Sequence, residues 1–227
     1  MKATISGDIV SSTALSTEGR VLLEKRLKNL IKLLNQHFSV FARVIKGDYL
    51  ECYLPQPEEA LRIALLIKCY IKSTAIGSDE AKKEIALFRT HGIRLAIGIG
   101  EITRFDAKKG VIDGEAIYLS GRLINQHGSS HGQRPVIKST LFIGASQPAI
   151  VEEFEPVLAL LDVLLGQSTA RQCEIIYLKL LDFNEDKITQ ELKITQATVN
   201  QHSRSAGWNA IDKAVMRFSA AIKNLET

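Results

Sequence analysis

Residues 39–54, Ser-Val-Phe-Ala-Arg-Val-Ile-Lys-Gly-Asp-Tyr-Leu-Glu-Cys-Tyr-Leu, read as two strands, Val40–Ile45 and Tyr49–Leu54, split by Lys46-Gly47-Asp48. β-Branched and aromatic residues on either side of a Gly-Asp turn are the pattern of a hairpin. Upstream, residues 2–10 alternate weakly and meet Gly7-Asp8, as a strand running into a polar turn does. Between the two lies a helical pattern that follows Ser16-Thr17: Leu22, Leu23, Leu27, Leu30, Ile31, Leu34 and Phe38 recur at steps of three and four. Downstream, Pro55 and Pro57 end the hairpin and start a helix from about Glu58 to Lys72, with Ala60, Leu61, Ala64, Leu65 and Ile71 inward. A charged helical stretch at 77–90 leads to a strand at Ile93–Ile102. Strand, helix, strand, strand, helix, strand is the split-βαβ, ferredoxin-like order, so the fold class is α/β (α+β).

Beyond it come a polar stretch (Arg104–Asp113), a helix (Gly114–Ile124), a Gly/Ser/His loop (Gln126–Arg134), a strand (Val136–Ile143) and an apolar helix at 147–165. Gly166-Gln167-Ser168 reads as a linker. From Thr169 onward no strand pattern occurs. Residues 1–166 are therefore expected to form an α/β domain that includes helix 147–165, and residues 167–227 an all-helical one. In the tail, Thr169 caps a helix whose apolar positions are Ile175, Ile176, Leu178, Leu180 and Leu181, and Asp182–Glu185 breaks it. Asp186–Lys193 is a short helix, Ile194-Thr195-Gln196 a turn and Ala197–Ala206 a third helix that ends at Gly207. This is the helix-turn-helix plan. A last stripe, Trp208, Ile211, Val215, Phe218, Ile222 and Leu225, packs on its own domain or forms the seam of a homodimer.

At 227 residues, 45% hydrophobic and 24% charged, the composition is that of a globular protein, which excludes disorder, collagen and supercharged tails. Cys52, Cys69 and Cys173 lie far apart in apolar runs with no C-x-x-C pair, which excludes a disulfide framework and a cysteine zinc site and points to a reducing environment. No apolar run approaches the roughly 18–20 residues that span a bilayer. The first residues carry charge where a signal peptide needs an apolar core, so a cytoplasmic protein without membrane attachment is expected. The net charge of +4 is uneven: +7 over residues 1–150 (21 basic, 14 acidic), −4 over 151–168 and +1 over 169–227.

The candidate chemistry starts at Asp8, which ends the first strand, and Asp48, at the hairpin tip. In a split-βαβ sheet the first strand is central and the hairpin begins beside it, so the two carboxylates can meet at one sheet edge. Paired carboxylates with phosphate oxygens suit Mg2+ or Mn2+. Backbone amides from Ile9 to Thr13, with Ser11, Ser12 and Thr13 nearby and Lys46 beside the second aspartate, can cradle phosphates at a helix start. His127 and His131 stand four apart in the Gly/Ser loop without a third ligand, and no metal is expected there. In the tail, Gln196, Ala197, Thr198, Gln201 and Arg204 are placed to meet base edges, and Thr195 to cap the helix and touch a phosphate.

Asp8-Ile9-Val10-Ser11-Ser12-Thr13 and Lys46-Gly47-Asp48 resemble the two metal-binding aspartate motifs of class III nucleotidyl cyclases. Ile93–Gly100 resembles the strand before their catalytic helix, and Gly114–Leu123 that helix itself. The resemblance implies a ferredoxin-like core with extra strands and two aspartates holding metal on a nucleoside triphosphate. It also implies a catalytic arginine, which carries over to Arg122. The family's asparagine four residues earlier falls on Tyr118, and its base-reading lysine on Val44, so a standard adenylate or guanylate cyclase is not expected. The segment 194–202 resembles the recognition-helix entry of sigma-factor region four. Taken whole, the chain is similar to the SatD family of small bacterial proteins, with Gly7–Ser12, Gly47-Asp48 and a helix-turn-helix tail. The expected function is a bacterial regulator, transcriptional in kind, that joins a nucleotide- or phosphate-binding cyclase-like domain to a DNA-binding tail. A metal-dependent cyclase of unusual specificity and an inactive scaffold with a protein-binding tail are the alternatives.

Overall fold

The structure, a computed structural model, describes residues 1–45, 47–76, 83–128 and 137–225. Its strands are β1 (Lys2–Ile9), β2 (Phe41–Ile45), β3 (Tyr49–Leu54), β4 (Ile93–Gly100), β5 (Arg104–Asp106), β6 (Val111–Asp113) and β7 (Leu141–Ala145). Its helices are α1 (Thr17–Phe38), α2 (Ala60–Lys72), α3 (Lys83–His91), α4 (Glu115–Gly128), α5 (Pro148–Gln167), α6 (Ala170–Leu180), α7 (Glu185–Leu192), α8 (Gln196–Ser205) and α9 (Trp208–Asn224). Five strands form one sheet in the order β2-β3-β1-β4-β7, with β1 at its centre. Only β4 and β7 run parallel; the other neighbours are antiparallel. The first four strands thus take the split-βαβ order, and β7 extends it by one strand.

The period-2 alternation of β1 sorts the two faces of the sheet. Ala3, Ile5 and Ile9 are buried on the side of α1 and α2. Thr4 and Ser6 point the other way, where their hydroxyls meet Ser120 Oγ of α4 at 3.0 and 2.9 Å. Helix α4 lies close on β4 because Gly98 has no side chain: a Cβ there would stand 2.0 Å from the Ala116 carbonyl oxygen.

Several boundaries differ from the sequence reading. The polar stretch 104–113 folds as the two-stranded β5–β6 ribbon, too short for an alternation to register. Helix α4 runs on through Gln126 and His127, where the sequence pattern suggests a loop, and His127 stacks on Phe142 at 4.2 Å. The strand expected at Val136–Ile143 is β7, at Leu141–Ala145; Val136 and His131 lie outside the described residues, as do 77–82. Gly166 and Gln167 belong to α5 rather than to a linker, and Ser168 beyond them is buried.

Helix α2 is buried almost all round, including Lys68 and Lys72, whereas the sequence suggested a single inward stripe. The reason is a second cover. The sheet packs on one side and α6 on the other, with Tyr70 and Tyr177 edge to face at 5.1 Å and Arg62 Nε donating to the Leu180 carbonyl at 2.8 Å. The stripe of α9 is turned inward, with Phe218 edge to face against Phe154 of α5 at 4.9 Å. One apolar core therefore runs from the sheet into the C-terminal helices. The three cysteines are free and buried in it. No described helix is long and apolar enough to cross a membrane.

Lys68 Nζ donates to Thr140 Oγ1 at 2.5 Å and to the carbonyls of His91 and Ile93 at 3.1 Å, and pairs with Asp162 Oδ1 at 3.3 Å. Burial works against the Asp162 carboxylate, but the Lys68 ammonium and the Thr140 hydrogen bonds hold its pKa below the ordinary value. Lys68→Met should lower unfolding free energy by about 3–5 kcal/mol, because it leaves Asp162 buried and unpaired. The double substitution Lys68→Met, Asp162→Leu should recover most of that loss in a denaturant titration. A single variant as stable as the parent would show that the pair does not hold the fold.

Candidate functional site

Asp8 is the last polar residue of β1 and points to the α4 side of the sheet by the same alternation as Thr4 and Ser6. The register sets it between Tyr49 of β3 and Arg94 of β4. Arg94 Nη1 donates to Asp8 Oδ2 at 2.7 Å, while Arg94 Nε is buried and has no partner among the described residues. Partial burial raises the pKa of Asp8; Arg94 opposes the rise, and the charge of Asp48 adds to it. The two carboxylates are thus close enough to feel each other.

Asp48 follows Gly47, whose φ of 89° lies in the left-handed region that glycine adopts without strain. Its Oδ2 accepts from Ser12 Oγ at 2.6 Å, and its backbone carbonyl faces the Ile9 N–H at 3.4 Å. Ser12 opens a one-turn 3-10 helix, Ser12–Ala14, entered through Ser11 at φ 56°. Arg20 fixes this turn by donating to the carbonyls of Leu15 and Thr13 at 3.1 and 2.8 Å. A cleft of about 650 Å3 opens beside it, between α1 and the β2–β3 hairpin, with Ser12, Thr13, Gly47 and Asp48 at one end.

The structure therefore brings Asp8, Asp48 and Ser12 together at one end of the sheet, next to Ser11 and Thr13. The phosphate cradle expected at a helix start falls on the 3-10 turn, because α1 begins later, at Thr17, under a Ser16 cap. The amides of Ile9 and Val10 face the carbonyls of Asp48 and Gly92, whereas those of Ser11, Ser12 and Thr13 have no backbone acceptor among the described residues. Lys46 lies outside the described residues. Arg122 is elsewhere: it is exposed on α4, in a separate groove of about 570 Å3 that it lines with Tyr118, Gly121, Asn125 and Gln126. Tyr118 donates its hydroxyl to Asp113 Oδ1 at 2.5 Å, which raises its pKa.

The donor set fits a hard divalent cation. One oxygen of each carboxylate is engaged, by Arg94 or by Ser12, and the other makes no hydrogen bond among the described residues. No group of three acidic, histidine or cysteine ligands occurs among the described residues. The protein would supply two carboxylate oxygens, with phosphate oxygens and water for the rest, as magnesium accepts. Arg94 was missed in the sequence reading. Its signal is a lone charge in the otherwise apolar strand Ile93–Gly100, opposite Asp8 once the register is set.

In the C-terminal helices, Gln196, Ala197, Gln201 and Arg204 of α8 are exposed, and Thr198 is half-buried. Thr195 caps α8 by accepting from the Thr198 N–H at 3.2 Å. Glu185 of α7 lies on the same face, where its Oε2 accepts from Gln196 Nε2 and Asn200 Nδ2, both at 3.1 Å.

No protein-family model matches the chain, and no curated protein matches it. Among solved structures, a bacterial light-regulated adenylyl cyclase is similar at 17% identity and TM-score 0.39, over 62% of this chain and 74% of that one. A second structure of a bacterial light-regulated adenylyl cyclase matches at 17% identity and TM-score 0.40, over 62% of this chain and 42% of that one. The guanylyl cyclase Cya2 matches at 13% identity and TM-score 0.35, over 55% of this chain and 69% of that one. Similarity at this level leaves the chemistry of the site to be read from its own residues.

Proposed function

We propose that this is a regulatory protein whose α/β part binds a nucleotide or related phosphate ligand with Mg2+ or Mn2+, and whose C-terminal helices bind DNA. The observation that carries the reading is the meeting of Asp8–Arg94 and Asp48–Ser12 at one end of the sheet, where Asp48 and Ser12 also line the cleft between α1 and the hairpin. Asp8 and Asp48 would hold the cation. Arg94 and the amides of the Ser12 turn would meet phosphate oxygens. A divalent cation bound there supplies charge neutralisation for a polyphosphate.

The DNA half rests on the exposed polar face of α8, a short turn at 193–195 before it, and three helices packed as a unit. Gln196 and Gln201 can pair with adenine, and Arg204 with guanine. The tail's charge of only +1 makes its phosphate contacts few, so the basic residues of 1–150 or a second copy in a homodimer would supply the rest. Such a protein works in the bacterial cytoplasm. The cyclase alternative needs an asparagine partner for Arg122, and Tyr118 stands at that position.

Calorimetry with Mg2+ and ATP should show binding to the parent protein and at least a tenfold loss in Asp48→Ala; equal affinity in both would end the metal–phosphate reading. Purified protein should convert little or no ATP or GTP to a cyclic product, since losing a positioned transition-state donor typically costs about 100- to 1000-fold. Robust product formation that Asp8→Ala abolishes would promote the cyclase alternative.

Full-length protein should bind DNA with an affinity that falls steeply as salt rises. Arg204→Ala should cost about 1–3 kcal/mol and relax sequence preference if Arg204 reads a base. Glu185→Gln, which removes a carboxylate from the α8 face, should bind several-fold more tightly. Folded protein with no DNA affinity at low salt would leave the tail to protein contacts.

A further inference from the structure

The cleft beside Asp48 has a second half that phosphate chemistry does not use. Leu23, Leu27 and Ile31 stand at i, i+4 and i+8 on α1, the first two buried at the floor of the cleft and Ile31 half-buried opposite Val44 of β2. Eight residues of helix make this wall about 12 Å long. Arg20, Glu24 and Lys28 run parallel along the rim at the same spacing. Glu24 and Lys28 pair at 2.9 Å with both side chains mostly in solvent. The apolar wall thus starts at the polar end formed by Ser12, Thr13 and Asp48 and leads away from it. Its volume of about 650 Å3 falls within the range of about 300–1,000 Å3 of small-molecule pockets.

We propose that this wall receives the base of the nucleotide within one chain, by apolar contact and without a base-specific hydrogen-bonding group. The inference rests on the phosphate reading above and deepens it by naming how the organic half of the ligand is held. A base laid on Ile31 and Val44, over the buried Leu23 and Leu27, would have its polar edge at the rim. There the Glu24–Lys28 pair offers an acceptor and a donor on mobile, solvated side chains. Such a rim serves adenine and guanine alike. A buried, fixed hydrogen-bonding group is what produces large discrimination, and apolar walls discriminate weakly.

The test is calorimetry on the full-length chain in Mg2+ with tripolyphosphate, ATP and GTP. ATP and GTP should each bind at least tenfold more tightly than tripolyphosphate and within about fivefold of each other. Ile31→Ser and Val44→Ser, both at half-buried positions, should bring ATP and GTP down toward the tripolyphosphate value and leave tripolyphosphate unchanged, with circular dichroism melts reporting that the variants are folded. Failure of tripolyphosphate to bind the parent protein would overturn the phosphate reading itself. Tripolyphosphate binding with no gain from the nucleoside, or a gain untouched by both variants, would overturn only the base pocket. A preference of a hundredfold or more between ATP and GTP would overturn the absence of a base reader.

Discussion

The ammonium of Lys68 is the constraint on which the rest of this fold depends. It is wholly buried, and it meets the last residue of α3, the first of β4, the threonine before β7 and the aspartate of α5. Burying two charges is expensive, and the cost is offset only where every donor and acceptor finds a partner. That requirement fixes four chain segments at one point. Lys72, one turn on, donates to the carbonyls of Leu165 and Gly166 and so fixes the end of α5 as well. Arg94, which pairs with Asp8, immediately follows Ile93, whose carbonyl accepts from Lys68. The strand that carries Arg94 to the candidate site is thus anchored, one residue before it, by the core ion pair.

At the site the charges are arranged differently. Asp8 is partly buried and paired with Arg94, while the Asp48 carboxylate accepts from the neutral Ser12 hydroxyl and is left a negative charge that a cation would offset. The protein commits one oxygen of each carboxylate to its own structure and so orients both. Ser12 links the strand exit to the hairpin tip, and Arg20 ties the turn that carries Ser12 back to α1. The same few hydrogen bonds shape the polar end of the cleft and seat it at the start of the apolar wall on α1.

Much of this was legible from residues alone. The strand and helix order through β4 follows from alternation and from leucines at helical spacing, and Asp8 and Asp48 were placed at one sheet edge from topology. Arg94 was not found, because pairing across antiparallel strands depends on register, and a strand pattern alone does not give register. The encasement of α2 was missed for a related reason: periodicity describes one face, while the second cover comes from α6, more than a hundred residues away. Lys68 and Asp162, each a charge set between apolar neighbours in its helix, were the available clue. Short elements such as the β5–β6 ribbon fall below the length at which a pattern can be read.

Because α2 has almost no face in water, the C-terminal helices are part of the wall that keeps solvent from Lys68. Cys173 of α6 lies within range of that charge, and Tyr177 packs on Tyr70 one turn away. A cut between the sheet and α6 would open that interior to water, and substitutions on α6 are constrained by the chemistry of a lysine that belongs to α2.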